Sequence, residues 1–250
     1  MRSLVAVARI LSVLAHLLHG AWIIWRHFPA LSQAQREARV QVWAQQMLAR
    51  MAIDVQVSGM PPTSGPVLLA SNHISWLDII VIHASGHCRF ISKSEIRGWP
   101  LVGMLASAAG TLYLERSSRR DAMRVVHQMA ECLQQGDILA IFPEGTTGDG
   151  TTVLPFHANL LQAAIAASAP VQPVGLQFID PVTQQISLAP CYIGDDTLVE
   201  TLWRTLRTRS LRAVVRFGEA QQADGRDRRA WAADLQRAVV ALRNPPELRG

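Results

Sequence analysis

An α/β fold, with a mixed and mostly parallel central sheet flanked by helices, is predicted by three features of the sequence. From residue 55 onward, short apolar runs alternate with stretches of helical periodicity, the pattern of strands and their covering helices. The run that ends at Ala70 is apolar throughout and gives way at once to polar residues, as a buried strand does where α/β sheets carry their sites. Ahead of both lie two amphipathic helices within residues 1–52, which read as an appendage to a domain spanning 53–250.

Residues 10–25 form an apolar stretch interrupted by Ser12, His16, His19 and Gly20. At about 1.5 Å per residue it reaches about 24 Å, short of the roughly 30 Å of a bilayer's hydrocarbon. Stepping about 100° per residue gathers Arg2, Arg9, Ser12, His16, His19 and Arg26 into one polar stripe. That geometry suits a helix lying in a membrane interface, with its arginines toward anionic headgroups and Trp22 and Trp25 at headgroup level. A tilted span and a secretory signal compete with this reading. Against the signal, Arg9 interrupts the run, and Arg26 and His27 separate it from the small residues Ser32 and Ala34. After the Phe28-Pro29 break, Ser32 and Gln35 have capping-box spacing. Val40, Trp43, Met47 and Met51 then follow at helical spacing, on a helix that either packs or touches the membrane.

Strands are expected at 55–58, 67–71, 89–91, 111–114, 138–142, 171–177 and 213–217. Helices are expected at 77–84, 101–109, 120–134, 158–167, 197–207 and 227–242. Residues 218–229 are a polar turn region, yet the helix after them keeps an apolar face at Trp231, Leu235 and Val239, so no domain boundary is placed there.

Composition narrows the function classes. With 49% hydrophobic residues, 17% charged residues and a mean hydropathy of +0.15, the chain is greasy for a soluble enzyme and far short of a multi-span membrane protein. A peripheral membrane protein fits between those limits. The net charge of +5 is carried almost wholly by arginine, Lys93 being the single lysine, and arginine pairs bidentately with phosphate. Nucleic acid and anionic lipid are both admissible, but no zinc-finger, KH or RRM signature occurs, which favours lipid and leaves no nucleic-acid partner. Cys88, Cys132 and Cys191 are widely spaced with no C-x-x-C pair, consistent with a reducing compartment.

Three blocks carry chemistry. In Ser71-Asn72-His73-Ile74-Ser75-Trp76-Leu77-Asp78, His73 and Asp78 stand five apart. On one continuous helix they would diverge by about 140°, so they meet only if His73 lies in a loop and Asp78 in the first helical turn behind it. The carboxylate then holds one imidazole nitrogen and leaves the other free to take a proton. A helix cap beside an unrelated loop histidine is the plainer alternative for this pair alone. In the second block, a buried strand ends in Phe142-Pro143-Glu144-Gly145-Thr146-Thr147-Gly148-Asp149-Gly150, a loop dense in backbone donors with no G-K-[ST], which excludes a P-loop. In the third, Gly110 opens a strand that ends at Arg116, where a guanidinium can grip a phosphate or carboxylate; an exposed ion pair with Glu115 or Asp121 is the alternative.

The order N-H-x-x-x-x-D, strand-end Arg, F-P-E-G-T and then a Pro-flanked hydrophobic strand over 169–175, with Pro170 and Pro173, resembles the glycerolipid acyltransferase superfamily, best known from lysophosphatidate acyltransferases. The likeness covers roughly residues 55–180, and the N-terminal helix pair is similar to the membrane-seating helices of bacterial members. It implies direct acyl transfer from acyl-CoA or acyl-carrier protein to the free hydroxyl of a lysolipid, without cofactor or metal, at the cytoplasmic face of the inner membrane. It assigns His73 and Asp78 to catalysis. Asn72, Arg116, Phe142, Pro143, Glu144, Gly145 and Thr146 would bind substrate, with Arg116, Glu144 and Gly145 positioning the headgroup.

One departure stands out. Many phosphatidate-forming members continue the third motif with a basic residue, where this chain has Thr147. The extended G-T-T-G-D-G loop resembles the branch that acylates lyso-ornithine lipid, so both acceptors stay open, lysophosphatidate first. Three other readings compete. A metal hydrolase built from His73, Asp78, His83 and His87 lacks the zincin glutamate, since Ala84 follows His83, and Gly86 weakens its helix. A thioesterase would use water in place of the alcohol, and a non-catalytic lipid-binding protein would leave the His/Asp pair unexplained. No G-x-S-x-G elbow supports a serine lipase.

Overall fold

The computed structural model describes residues 2–114 and 119–244, so the expected strand-end Arg116 lies outside the described residues. Among the described residues, seven strands form one sheet in the order β1-β7-β6-β2-β5-β3-β4. They are β1 (Ile53–Ser58), β2 (Val67–Ser71), β3 (Arg89–Lys93), β4 (Leu112–Leu114), β5 (Ile138–Ile141), β6 (Val171–Ile179) and β7 (Leu211–Phe217). Every neighbouring pair is parallel except the antiparallel β6 and β7. The sequence expectation of a mixed, mostly parallel sheet with helices on its faces is met.

Alternation along the central strands explains the two layers. Val67 and Leu69 of β2, with Ile138 and Ala140 of β5, face one core. Leu68 and Ala70, with Leu139 and Ile141, face the other. The first core is covered by α2 (Gln33–Arg50), α3 (Leu77–Ser85) and α7 (Leu198–Leu206); the second by α5 (Arg119–Gln134), α6 (Leu161–Ala167) and α8 (Arg228–Arg243). A short α4 (Val102–Ala108) borders β4. The Ser32–Gln35 capping box forms and starts α2, and Thr197 with Glu200 builds another that starts α7. Through Ala44, Met47, Leu48 and Met51, α2 shares the core of the sheet itself.

α1 (Arg2–Arg26) adds partners that the sequence does not announce. It is long and apolar enough to cross a membrane by length and composition. Two members of its polar stripe, Arg9 and His16, turn toward the protein, while His19 and Arg26 stay exposed. The Arg9 guanidinium donates to the carbonyls of Leu206 and Thr208 at 2.9 and 2.7 Å and to that of Arg209 at 3.3 Å, at and just beyond the C-terminal end of α7. Terminal helix carbonyls lack intrahelical partners and carry partial negative charge, which a cation at that point neutralises. His16 is buried, stacks on Trp43 with ring centres 5.1 Å apart, and bonds the Trp43 carbonyl through Nε2 at 3.0 Å. At Gly20 a Cβ would lie 2.5 Å from the Trp43 indole nitrogen, so glycine permits this close approach of α1 to α2. The opposite face presents Leu4, Leu11, Leu18, Trp22 and Trp25 outward, Leu4 and Trp25 being 75% and 74% exposed. An apolar stripe of this extent marks an interaction surface, and with the helix's length it supports membrane association.

Because Arg9 alone supplies these three bonds, Arg9→Ala should destabilise the protein in detergent by about 1–2 kcal/mol. Arg9→Lys should recover less than half, since an ammonium does not span the three carbonyls as a planar fork does. Urea denaturation of the three proteins measures both effects.

Candidate active site

β2 and β5 run side by side in parallel, Ala70 opposite Ile141, so the loops that follow them emerge at the same edge of the sheet. That register alone brings the His73 block beside the Phe142 block. Asn72 then fixes the exit of β2: its side-chain nitrogen donates to the Leu176 carbonyl at 3.0 Å and its oxygen accepts from Leu176 N at 2.8 Å. Asn72 is thus spent on the backbone of β6 and is itself buried.

The chain turns at residues 72–76 and enters α3, with Asp78 in the first helical turn. One Asp78 oxygen, Oδ2, accepts three N–H groups: His73 Nδ1 at 2.8 Å, Ile74 N at 2.6 Å and Ser75 N at 2.9 Å. The carboxylate is fully buried. His73 is partly exposed, and among the described residues its Nε2 has no hydrogen-bond partner. With Nδ1 carrying the proton toward Asp78, Nε2 presents a lone pair outward. The imidazole lies flat on Phe142, centres 3.9 Å apart, and Phe142 stacks in turn on Phe90 at 5.6 Å.

The third-motif loop braces this turn from behind. Glu144 accepts from His73 N through Oε1 and from Leu154 N through Oε2, each at 2.7 Å. Burial pushes its carboxyl above the ordinary range, and the two amide bonds pull it partly back. The sequence suggested that Glu144 touches the headgroup; the structure commits both of its oxygens to the backbone. Gly148 N donates to the His73 carbonyl at 2.8 Å. Pro143 is buried and its carbonyl accepts from His157 N at 2.8 Å. Gly145 has φ +73°, and a Cβ there would approach the His157 ring to 3.0 Å, which explains the glycine. Gly145 and Thr146 are exposed at the loop's outer rim.

Several contributors were invisible in the sequence because they come from distant segments. The Thr147 hydroxyl donates to the Tyr192 carbonyl, and Tyr192 N donates to the Ile74 carbonyl at 3.1 Å, so the β6–α7 connection is tied to both catalytic loops. From α8, Gln236 holds the carbonyls of Val153 and Leu154 at 3.2 and 3.1 Å, and the buried Arg243 donates to the Gly150 carbonyl. No local pattern announces such contacts.

His83 and His87 do not join His73 and Asp78. His83 is buried against Phe90 and His87 pairs with Glu37 at 3.4 Å. Among the described residues no cluster of three or more metal-ligating side chains forms. Beside the site, an apolar cavity of about 350 Å³ opens between α1, α2, α3, β3 and α4, with Leu17, Trp43, Ile79, Phe90 and Leu105 in its walls.

The model of the acyltransferase family matches residues 52–177. A lyso-ornithine lipid O-acyltransferase from Pseudomonas aeruginosa is 37% identical over 243 residues, covering 96% of this chain and 92% of that one. A 1-acyl-sn-glycerol-3-phosphate acyltransferase from Neisseria gonorrhoeae is 39% identical over 198 residues, 78% of this chain and 76% of that one. The crystal structure of the 1-acyl-sn-glycerophosphate acyltransferase from Thermotoga maritima, 20% identical, superposes with a TM-score of 0.71 over 100% of this chain and 99% of that one, a likeness of fold. On the family match across half the chain and relatives near 40% identity, this chain belongs to the acyltransferase family.

Proposed function

We propose that the protein transfers a fatty acyl group from acyl-CoA or acyl-carrier protein to the free hydroxyl of a lysolipid at a membrane surface. One observation carries this reading: His73 is held at Nδ1 by the buried Asp78 while Nε2 stays open at the edge of the sheet. Nε2 takes the hydroxyl proton as the oxygen attacks the thioester carbonyl. The C–S bond then breaks, and the imidazolium returns the proton to the leaving thiolate. Asp78 fixes the tautomer and stabilises the transient charge on the ring. No acyl-enzyme and no cofactor are needed.

Glu144 acts as a positioning residue, setting the backbone of His73, while Phe142 sets the plane of the imidazole. Gly145 and Thr146, exposed on the rim, and Arg116 are the headgroup contacts in this reading. The apolar cavity takes a lipid chain, since its wall begins at Phe90, one ring from Phe142. The outward face of α1 seats the enzyme on the cytoplasmic face of the inner membrane, where thioester donors are made.

The acceptor is 1-acylglycerol-3-phosphate in the first reading. Lyso-ornithine lipid is the second, favoured by Thr147, which spends its hydroxyl on Tyr192 where a phosphate site would place a cation, and by the relative of that name matched over 96% of the chain. Purified protein in detergent, given labelled acyl-CoA or acyl-carrier protein and a panel of lysolipids, decides which acceptor gains a chain; release of free fatty acid alone would instead indicate a thioesterase.

His73→Ala should lower kcat by about 10² to 10⁴-fold while leaving vesicle and lysolipid binding intact. Asp78→Asn, which turns an amide toward backbone donors or loses the charge that holds the imidazole, should cost kcat about 10²-fold or more in the same assay.

Glu144 has a separate signature. Its raised carboxyl means the folded protein binds that proton more tightly than the unfolded chain, so stability falls as pH rises from the ordinary carboxylate range through the raised value. Lowered carboxylates elsewhere, such as Asp149 and Asp227, add the opposite slope. The Glu144 contribution is therefore read by urea denaturation across acid pH as the difference between the native protein and Glu144→Gln, which should decline as pH rises. The same variant should lose about tenfold in kcat, because an amide can accept from only one of the two backbone N–H groups well.

A further inference from the structure

The histidines left over from the metal reading lead to a second question, because one of them faces the cavity. Arg39, Ser92 and Thr111 also border the cavity, but they keep access to water. His83 is deeply buried, and among the described residues its Nδ1 has no hydrogen-bond partner. Leaving a buried polar group unpartnered is destabilising, a penalty that leucine at this position of an apolar wall would avoid. Burial also pushes the imidazole pKa down to about 3, so the ring is neutral and offers one N–H donor and one acceptor.

The position of His83 relative to the catalytic base is informative. Its ring meets Phe90 edge-on at 5.0 Å, Phe90 stacks on Phe142 at 5.6 Å, and Phe142 lies 3.9 Å from His73. A row of rings therefore leads from the base to His83. Along α3, His83 stands five residues beyond Asp78, about 7.5 Å farther along the helix axis and about 140° around it, on the side that lines the cavity. A chain whose reacting end lies at His73 and whose tail fills the cavity passes His83 part-way along its length.

We propose that His83 is a specificity-determining residue that hydrogen-bonds a hydroxyl carried mid-chain on the lipid lodged in this cavity. The inference rests on the reading of the cavity as a seat for a lipid chain. A hydroxyl matches the ring because it can donate to one nitrogen or accept from the other. It can be supplied by the acyl donor or by the chain the acceptor already carries, and the test separates the two.

The native enzyme, His83→Leu and His83→Gln are compared in detergent. In one arm the donors are stearoyl-CoA and mid-chain hydroxystearoyl-CoA with a plain lysolipid. In the other, the donor is plain and the hydroxyl is on the lysolipid chain. The native enzyme should favour the hydroxylated chain by about tenfold in kcat/KM in one arm, which identifies the chain that occupies the cavity. His83→Leu should abolish that preference, mainly through KM, with turnover of the plain chain and the melting temperature unchanged or raised; His83→Gln should keep part of it. Equal discrimination by native and His83→Leu proteins in both arms would overturn the proposal. Calorimetric titration of the same proteins with hydroxystearate and stearate reads the contact without turnover. If no lysolipid is acylated, the transfer reaction fails, yet a hydroxystearate preference lost in His83→Leu still upholds the contact; equal binding by both proteins sinks it.

Discussion

A single carboxylate oxygen organises the catalytic edge of this molecule. Asp78 Oδ2 gathers the side-chain N–H of His73 and the backbone N–H groups of Ile74 and Ser75. Taking a carboxylate out of water costs several kcal/mol, and three short bonds from a turn that leads into a helix N-terminus offset that cost. Because two of the donors are backbone, the same interaction sets the shape of the turn as well as the angle of the imidazole. The turn then becomes an anchor for its neighbours. His73 offers its N–H to Glu144 and its carbonyl to Gly148, Ile74 offers its carbonyl to Tyr192, and Asn72 locks onto β6. Segments far apart in sequence are registered against one five-residue turn.

Local pattern made much of the fold legible. Strands β2, β5 and β6 read out as apolar runs because they are buried on both faces, and the capping box at Ser32 marks the start of α2. The pairing of His73 with Asp78 was also accessible, since a loop followed by a first helical turn is a short-range geometry. What remained hidden has a common cause. The sequence can show that Glu144 is acidic and flanked by glycine, but not that its oxygens meet amides of residues 73 and 154, because only the parallel register of β2 and β5 creates that meeting. Arg243 and Gln236 were likewise unreadable: in the sequence they are polar positions on an amphipathic helix, and only tertiary packing turns them toward the glycine loop.

The orientation of α1 shows how a correct period can leave the partner of each residue open. Its polar stripe is real, and a membrane headgroup region is the nearest anion-rich environment for arginines on an apolar helix. The carbonyls at the C-terminal end of α7 are another, and Arg9 donates to them. Periodicity gives the direction of a face but not the identity of what covers it. As a result Arg9 and His16 sit among the apolar side chains that α1 turns to the protein, while a second apolar face looks outward.

That arrangement has a consequence for biogenesis. The carbonyls that receive Arg9 lie roughly 200 residues downstream of it, and translation at about 5–20 residues per second makes them some 10–40 s later. Throughout that interval the guanidinium has only water or lipid phosphate to satisfy it, and a charge a third of the way along the helix opposes passage into hydrocarbon, by less than the roughly 2.5–3.5 kcal/mol of a charge at the helix centre. The emerging segment is thereby discouraged from threading the bilayer until the body that will receive its charged side exists.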